Sequence, residues 1–150
     1  MRRHSVNHDH AESEHLSTSA CWGLLRRSDV GRMALHGDDD EIEIFPLNFI
    51  VDRESIVFKT AAGTKLALVS GHRRAAFEVD AFDFYEGTAW SVVLRGVPTV
   101  LRHDDEVLAE LEQQIRPWQV GNKPAYVRLA PDVVTGRRFR VDPNHKDVHR

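Results

Sequence analysis

A short segment, residues 56–65, constrains the fold of this chain more than any other and reads Ile-Val-Phe-Lys-Thr-Ala-Ala-Gly-Thr-Lys. Its first five residues are mostly β-branched or aromatic, which predicts a strand. The pattern then stops at Ala-Ala-Gly, and apolar side chains follow at helical spacing, with Thr64 in the position of a helix cap. Free backbone N–H groups and the helix dipole at such an N-terminus attract an anion. With Lys65 beside the turn, the segment predicts a binding site for a phosphate group.

The composition is that of an ordinary soluble globular protein. Hydrophobic residues make up 41% and charged residues 29%, and a chain of 150 residues most simply forms one domain. The net charge of −3 argues against general nucleic-acid binding, which usually needs a basic surface. The single cysteine excludes an internal disulfide. Because no secretory signal and no stretch of roughly 18 apolar residues is found, we expect a cytoplasmic protein without membrane partners.

Both ends of the chain are polar and rich in histidine. Residues 1–16 lack periodicity, so we expect a disordered N-terminal arm, and residues 143–150 are expected to be a flexible tail. The folded domain should then span residues 17–142. Metal capture by residues 8–10 (His-Asp-His) would need rigid support that such an arm does not give. We also interpret the acidic run at residues 38–43 as a solvated hairpin edge, so no metal site is expected.

The rest of the sequence mostly has the pattern of antiparallel strands. Strands are expected at residues 30–35, 41–44, 47–51, 56–60, 75–80, 89–101, 126–129 and 133–141. Pro46 is expected to interrupt the second and third of these, while Gly96 and Pro98 should produce a bulge or a sharp bend in the longest. Closely spaced strands with only short helices predict a small closed barrel.

Three short helices are expected besides the strands. The first covers residues 18–25, is capped by Thr18 or Ser19, and buries Cys21 as a small core residue rather than as a reactive thiolate. The second follows the phosphate-binding turn. The third begins at residues 104–105 and has one apolar face.

Six motifs follow one another along the chain. They are Val30-Gly31-Arg32-Met33-Ala34, Phe45-Pro46-Leu47-Asn48-Phe49, Phe58-Lys59-Thr60 with Gly63-Thr64-Lys65, Arg74-Ala75-Ala76-Phe77-Glu78-Val79, Trp90-Ser91-Val92-Val93-Leu94-Arg95-Gly96, and Val134-Thr135-Gly136-Arg137-Arg138. In this order they resemble the pyridoxamine 5′-phosphate oxidase-like superfamily of flavin-binding split barrels, over about residues 17–141. The resemblance implies a mostly β fold: a six-stranded antiparallel Greek-key split barrel with a few short α-helices. It also implies a homodimer with a flavin mononucleotide (FMN) in each of two clefts at the subunit interface.

The same resemblance implies a set of cofactor-binding residues. They are Pro46, Leu47, Asn48, Phe49, Lys59, Thr60, Thr64, Lys65, Trp90 and Ser91. The phosphate is expected at the strand–helix junction, and the isoalloxazine ring along residues 46–49, with backbone N–H groups directed at its polar edge. Residues 90–91 are expected to approach from the neighbouring strand. By alternation Lys59 could instead point to solvent. Arg32 is expected either to contact the phosphate or to pair with Glu78 or Asp80.

The resemblance implies a flavin-dependent oxidoreductase that transfers a hydride or electrons to a small-molecule substrate, the cofactor supplying the redox chemistry. No catalytic residue is assigned. Two alternatives stay open: a flavin-binding or redox-sensing dimer without turnover, and a deazaflavin-dependent reductase. The genuine oxidase carries a longer C-terminal region that holds its substrate, so oxidation of pyridoxamine phosphate is not expected here.

Overall fold

The computed structural model describes residues 13–61, 63–101 and 124–141. Within these ranges the chain is mostly strand, with two short α-helices. The strands are β1 (Ser13–His15), β2 (Val30–His36), β3 (Ile42–Asn48), β4 (Ile50–Asp52), β5 (Ser55–Ala61), β6 (Ala75–Asp83), β7 (Thr88–Gly96), β8 (Thr99–Val100), β9 (Pro124–Leu129) and β10 (Val133–Arg140). The helices are α1 (Thr18–Arg26) and α2 (Thr64–Ser70).

The strands form two antiparallel sheets. The larger has the order β1-β10-β7-β6-β2-β3, and the smaller has the order β4-β5-β9-β8. Twice the chain leaves the larger sheet and enters the smaller within two residues: at Phe49, between β3 and β4, and at residues 97–98, between β7 and β8. Pro98 is fully buried at the second crossing. The mostly β, antiparallel architecture of a split barrel is therefore confirmed, and the bend expected near Pro98 divides the expected long strand in two.

The hydrophobic core draws on both sheets and both helices. Its largest fully buried side chains include Phe58, Phe77, Met33 and Leu25, and burial of each such side chain stabilises the fold by about 1.5–3 kcal/mol. Cys21 belongs to this core and is fully buried, as expected. Burial also raises the pKa of its thiol, so the reactive thiolate is disfavoured at neutral pH.

Two glycines mark places where elements approach too closely for a side chain. A Cβ at Gly31 would overlap the ring of Phe77, which itself meets the ring of Phe49 edge-on with centroids 5.0 Å apart. A Cβ at Gly136 on β10 would overlap the sulfur of Cys21 on α1. The first glycine lets β2 pass under an aromatic pair, and the second lets α1 lie directly on the sheet.

Proline is accommodated inside β3, so the expected interruption at Pro46 is wrong. β3 is an edge strand of the larger sheet, and Pro46 lies opposite Arg32 of β2. The Phe49 N–H donates to the Asp29 carbonyl at 3.1 Å. This bond establishes which residue pairs of β2 and β3 are hydrogen-bonded and which are not. Pro46 falls in a non-hydrogen-bonded pair, so the N–H that it lacks would have faced the open edge and no ladder bond is lost.

The N-terminal boundary also differs from the expectation. Ser13–His15 form β1 and pair with β10, and the Leu16 N–H donates to the Gly136 carbonyl at 2.9 Å. Disorder is therefore the wrong prediction for these residues, because Leu16 packs against the core and anchors them. The cap of α1 is Ser17 rather than Thr18 or Ser19, since the Ala20 N–H donates to Ser17 Oγ at 3.1 Å.

Other expectations lie outside the described residues. These are the fates of residues 1–12 and 142–150, and the helix expected from residues 104–105. Among the helices that the structure does describe, none has the length and apolar character needed to cross a membrane.

The close approach of α1 to β10 gives a test of this packing. Gly136→Ala should lower the free energy of unfolding by about 1–3 kcal/mol, because the new methyl group overlaps the Cys21 sulfur. Gly23→Ala is the matched control: it lies in α1 with no neighbouring atom within 4 Å of the added Cβ. This control should gain about 0.5–1 kcal/mol from improved helix propensity. Urea unfolding of both variants measures the difference, and equal effects would contradict the packing described.

Candidate functional site

The predicted phosphate-binding segment does form a strand, a glycine turn and a helix. β5 ends at Ala61, and α2 begins at Thr64 after Gly63, which occupies the cap position with an extended backbone. Thr64 is thus the first helical residue, and the expectation that it caps the helix is wrong. No side chain in the described part of the chain caps α2, and its first regular helical bond runs from the Ala67 N–H to the Gly63 carbonyl at 3.1 Å. The N–H groups before Ala67 therefore have no partner within the helix.

Lys59 and Thr60 precede this turn on β5 and alternate in direction. Thr60 is buried, with 9% of its surface exposed, on the same side of β5 as the core residue Phe58. Lys59 points to the other side, half-buried, with its Nζ 5.9 Å from the centroid of the Tyr126 ring. That distance is within the range of a cation–π contact. The two side chains therefore reach the end of β5 from opposite faces.

The side chains of residues 46–49 alternate, two pointing toward the core and two toward the outer face of the sheet. Leu47 and Phe49 pack inward, Phe49 with 4% exposure. Their N–H groups point toward β2, that of Phe49 to the Asp29 carbonyl and that of Leu47 across from Gly31. The expectation that backbone N–H groups of this segment point at a flavin ring is therefore wrong for Leu47 and Phe49. Asn48 is the residue of this segment whose N–H faces the open edge of the sheet.

The open end of β3 lies beside the C-terminal part of β5. β4 continues from β3 and pairs with β5, with Ile50 opposite Val57. Asn48 comes two residues before Ile50, and Lys59 comes two residues after Val57, so both lie in the same direction from that pair. The fold therefore brings the Asn48 edge and the β5–α2 junction to one side of the molecule.

Trp90 and Ser91 are not brought to this place within one chain. They lie on β7, which is separated from β3 by β6 and β2, a distance of about 14 Å across the sheet. As neighbours on one strand they also point to opposite faces. Trp90 packs against the core, while Ser91 lies on the outer face opposite Asp80.

The outer face between β3 and β7 carries an ion-pair cluster. Arg32 Nη2 donates to Asp80 Oδ1 at 2.7 Å, and Arg32 Nε lies 3.3 Å from Glu78 Oε2. Partial burial, followed by the hydrogen bond with Asp80, raises the pKa of Glu78. Of the two expected roles for Arg32, pairing with Glu78 and Asp80 is confirmed. Because two carboxylates share one guanidinium, this surface has no excess of positive charge.

Two arginines after α2 tie the helix to the ends of the sheets, and sequence reasoning did not anticipate this. Arg73 Nη2 lies 2.9 Å from Asp40 Oδ1, and Arg74 holds both carboxylate oxygens of Asp132 at 2.7 and 2.8 Å. The hydrogen bond and charge of each arginine lower the pKa of its aspartate. Consecutive arginines shortly after the end of a helix were the available signal. In the described part of the chain, no three potential metal ligands lie together.

The Asp132 pair predicts a change of stability in acid. Because the pKa of Asp132 is lower in the folded protein, its contribution is present above the ordinary aspartate value of 3.8 and is lost as pH falls through the lowered value. Asp132→Asn should therefore lower Tm at pH 7, and the difference from the parent should vanish well below pH 3.8. Asp39→Asn is the control, since Asp39 is exposed and has no ion pair among the described residues. A pH-independent difference for Asp132→Asn would contradict the pairing.

Comparison with known proteins identifies the class to which this fold and site belong. The sequence model of the pyridoxamine 5′-phosphate oxidase family matches residues 17–138. The uncharacterized Mycobacterium tuberculosis protein Rv3129 is 35% identical over 94 residues, which cover 63% of this chain and 84% of that protein. The chain therefore belongs to the pyridoxamine 5′-phosphate oxidase family, as the order of its motifs suggested.

Solved structures support the same assignment. The FAD binding protein from Mycobacterium smegmatis is 39% identical, with a TM-score of 0.69 over 84% of this chain and 97% of that one. The conserved protein DIP1874 of Corynebacterium diphtheriae is 32% identical, with a TM-score of 0.69 over 85% and 98% of the two chains. A FAD-binding protein from Mesorhizobium loti, at 20% identity and a TM-score of 0.73 over 85% and 96%, shares the fold.

Proposed function

We propose that this protein is a flavin-dependent oxidoreductase that binds FMN at the junction of β5 and α2. The observation that carries the proposal is that no side chain of the described residues caps the start of α2 after Gly63, on the side of the molecule toward which the Asn48 N–H points. Backbone donors at a helix N-terminus suit a phosphate. The M. smegmatis relative, which is named for FAD binding, supports a flavin as the ligand.

The phosphate would be held by the N–H groups at the start of α2 and by the side chains of Thr64 and Lys65. Lys59 and Thr60, on opposite sides of the β5 end, would enclose it. The isoalloxazine ring would lie along the open edge of β3, where Pro46 is exposed and the Asn48 N–H is directed. The residues in this proposal are those expected from the sequence. Leu47 and Phe49 would contribute by packing in the core beneath the edge of β3.

A second copy of the chain would complete the site. Trp90 and Ser91 are about 14 Å from β3 across the sheet, so within one protomer neither would reach a ring at the β3 edge. Ser91, on the outer face, would approach the ring from the second copy, whereas Trp90 packs against the core of its own chain. The outer face of β3 supports a homodimer, because Ile42 and Ile44 are 65% and 64% exposed there. Stable interfaces bury about 800 Å² per partner, and these isoleucines would form an apolar part of such a surface.

The chemistry divides between cofactor and protein. Bound flavin supplies hydride or electron transfer. The protein would fix the phosphate, orient the ring through the Asn48 N–H and keep water from the ring on the packed side, where Leu47 and Phe49 fill the core. A flavin-binding dimer without turnover would use the same contacts, and so would a deazaflavin cofactor that carries a phosphate. FAD is a second candidate cofactor, favoured by the name of the M. smegmatis relative.

Loss of the proposed phosphate contacts should weaken FMN binding. In the double variant Thr64→Ala/Lys65→Ala, removal of charge-assisted contacts should cost about 1.5–3 kcal/mol, roughly ten- to a hundredfold in Kd. The control Arg26→Ala removes one positive charge in the last turn of α1 and should leave Kd unchanged. Titration of FMN, FAD and deazaflavin by fluorescence measures the effect for each cofactor. Unchanged affinity in the double variant would show that the phosphate binds elsewhere.

Charge on the apolar face of β3 should separate the subunits. Ile44→Asp should convert a species of about twice 17.1 kDa into one of 17.1 kDa in light scattering, because a dimer interface does not accept a buried unpaired carboxylate. Its flavin affinity should fall as well, since the partner's contacts are lost. Asp83→Asn, at the exposed β6–β7 turn, is the control. A parent protein that is already monomeric would contradict the proposed dimer.

Anaerobic reduction distinguishes an enzyme from a binding module. In an oxidoreductase, the bound flavin should lose its visible absorbance when a nicotinamide cofactor reduces it. The absorbance should return when a small-molecule acceptor reoxidises the flavin, because the cofactor must cycle between the two states. Flavin that binds but never exchanges electrons would support the module instead.

A further inference from the structure

A cavity of about 450 Å³ opens away from the proposed flavin site, between the start of α1, the β4–β5 turn and the β9–β10 turn. The strand β9 relates the two places. Ala125 of β9 lies opposite Thr60, near the proposed phosphate, whereas Leu129 at its other end leads into the turn that lines the cavity. Four residues of strand separate these ends by about 13 Å. The cavity is therefore a separate site, independent of the proposed function.

The lining of the cavity is mixed, and three of its apolar residues, Trp22, Pro131 and Val134, form what we call its floor. Trp22 of α1 contributes to the lining and is only 4% exposed, and Val134 of β10 is partly buried against the same core. Pro131 completes this surface. An aromatic and aliphatic floor of this kind favours the apolar body of a small ligand, because its surface is removed from water there.

The rim of the cavity carries two carboxylates. Glu54 and Asp132 both line it. Arg74 fixes the Asp132 carboxylate through two hydrogen bonds. Among the described residues Glu54 forms no ion pair, so its negative charge is not compensated.

The turn that carries Glu54 is itself braced. Arg128 of β9 lies 2.9 Å from Asp52 Oδ2 and also donates to Ser55 Oγ, on the two sides of the turn. The Ser55 hydroxyl in turn donates to the Asp52 carbonyl at 2.7 Å. Because these bonds fix the backbone of the turn, the turn itself loses no further freedom when Glu54 binds a ligand.

We propose that this cavity binds a small organic cation, in which an amine, amidine or guanidinium group is carried on an apolar body. The cationic group pairs with Glu54 at the rim, and the apolar body contacts Trp22 on the floor. The Asp132 charge is balanced by Arg74, so Glu54 is the residue that selects for charge. Carboxylate ligands are excluded by like-charge repulsion at the same rim.

Benzamidine is a suitable probe, and the 150-residue chain is titrated with it by ¹H–¹⁵N NMR. The Trp22 indole and the Val133 and Val134 amides should shift saturably, with a Kd on the order of 1 mM. Glu54→Gln should weaken binding roughly fivefold, as loss of a partly solvated ion pair does, and Glu54→Lys should abolish it. Glu86→Gln, which removes an equal charge at the exposed β6–β7 turn, should leave Kd unchanged.

Two further ligands test whether the positive charge or the apolar ring of benzamidine is recognised. Benzyl alcohol should bind more weakly than benzamidine, and benzoate should cause no saturable shift. The proposal is overturned if benzamidine does not saturate these resonances, if Glu54→Gln binds it as tightly as the parent does, or if benzyl alcohol binds equally well. Because the readout needs no flavin, failure here leaves the proposed oxidoreductase function untouched.

Discussion

The edge-on contact of Phe49 with Phe77 over Gly31 is the constraint on which the arrangement of the site depends. It lies at the point where the chain leaves the larger sheet after β3 and enters the smaller one as β4. A larger residue than glycine at position 31 would displace the Phe77 ring. With the crossing fixed there, β4 must pair with β5, and the open end of β3 is held beside the strand that leads into α2.

Among the described residues, this crossing gives one side of the molecule two kinds of backbone donor that lie outside the regular ladder and helix bonds. One is the edge of β3, where the Asn48 N–H is left outside the ladder. The other is the start of α2, where Gly63 provides no side-chain cap. Such donors cost free energy if they are buried without partners, and a phosphorylated planar ligand would satisfy both sets together. The proposed function rests on this possibility that one ligand accepts hydrogen bonds from both sets of donors.

The local features of the fold were predictable from the sequence because local residues determine them. The change from strand to helix around Gly63 needs only the order of β-branched residues, glycine and helically spaced apolar residues. Burial of Cys21 followed equally from its place on an apolar helix face. The position of the helix cap, Gly63 rather than Thr64, was missed because cap assignment from sequence is uncertain by a residue or two.

Features that depend on distant partners were not predictable in this way. Pro46 does not break its strand because β3 is an edge strand and the residue falls in a non-hydrogen-bonded pair, which requires knowledge of the register with β2. Ser13–His15 form a strand because they pair with β10, which lies more than 120 residues further along the chain. Separation of residues 90–91 from β3 likewise follows from the strand order of the larger sheet and from no local pattern.

The most direct measurement of the central claim is an NMR titration of the isotope-labelled protein with FMN, followed at its backbone amides. Binding at the β5–α2 junction beside the open edge of β3 predicts that the amides of Thr64, Lys65 and Asn48 shift together with one dissociation constant. Inorganic phosphate alone should shift the first two and leave Asn48 unchanged. Shifts confined to another part of the molecule, with these three amides unaffected, would contradict the account.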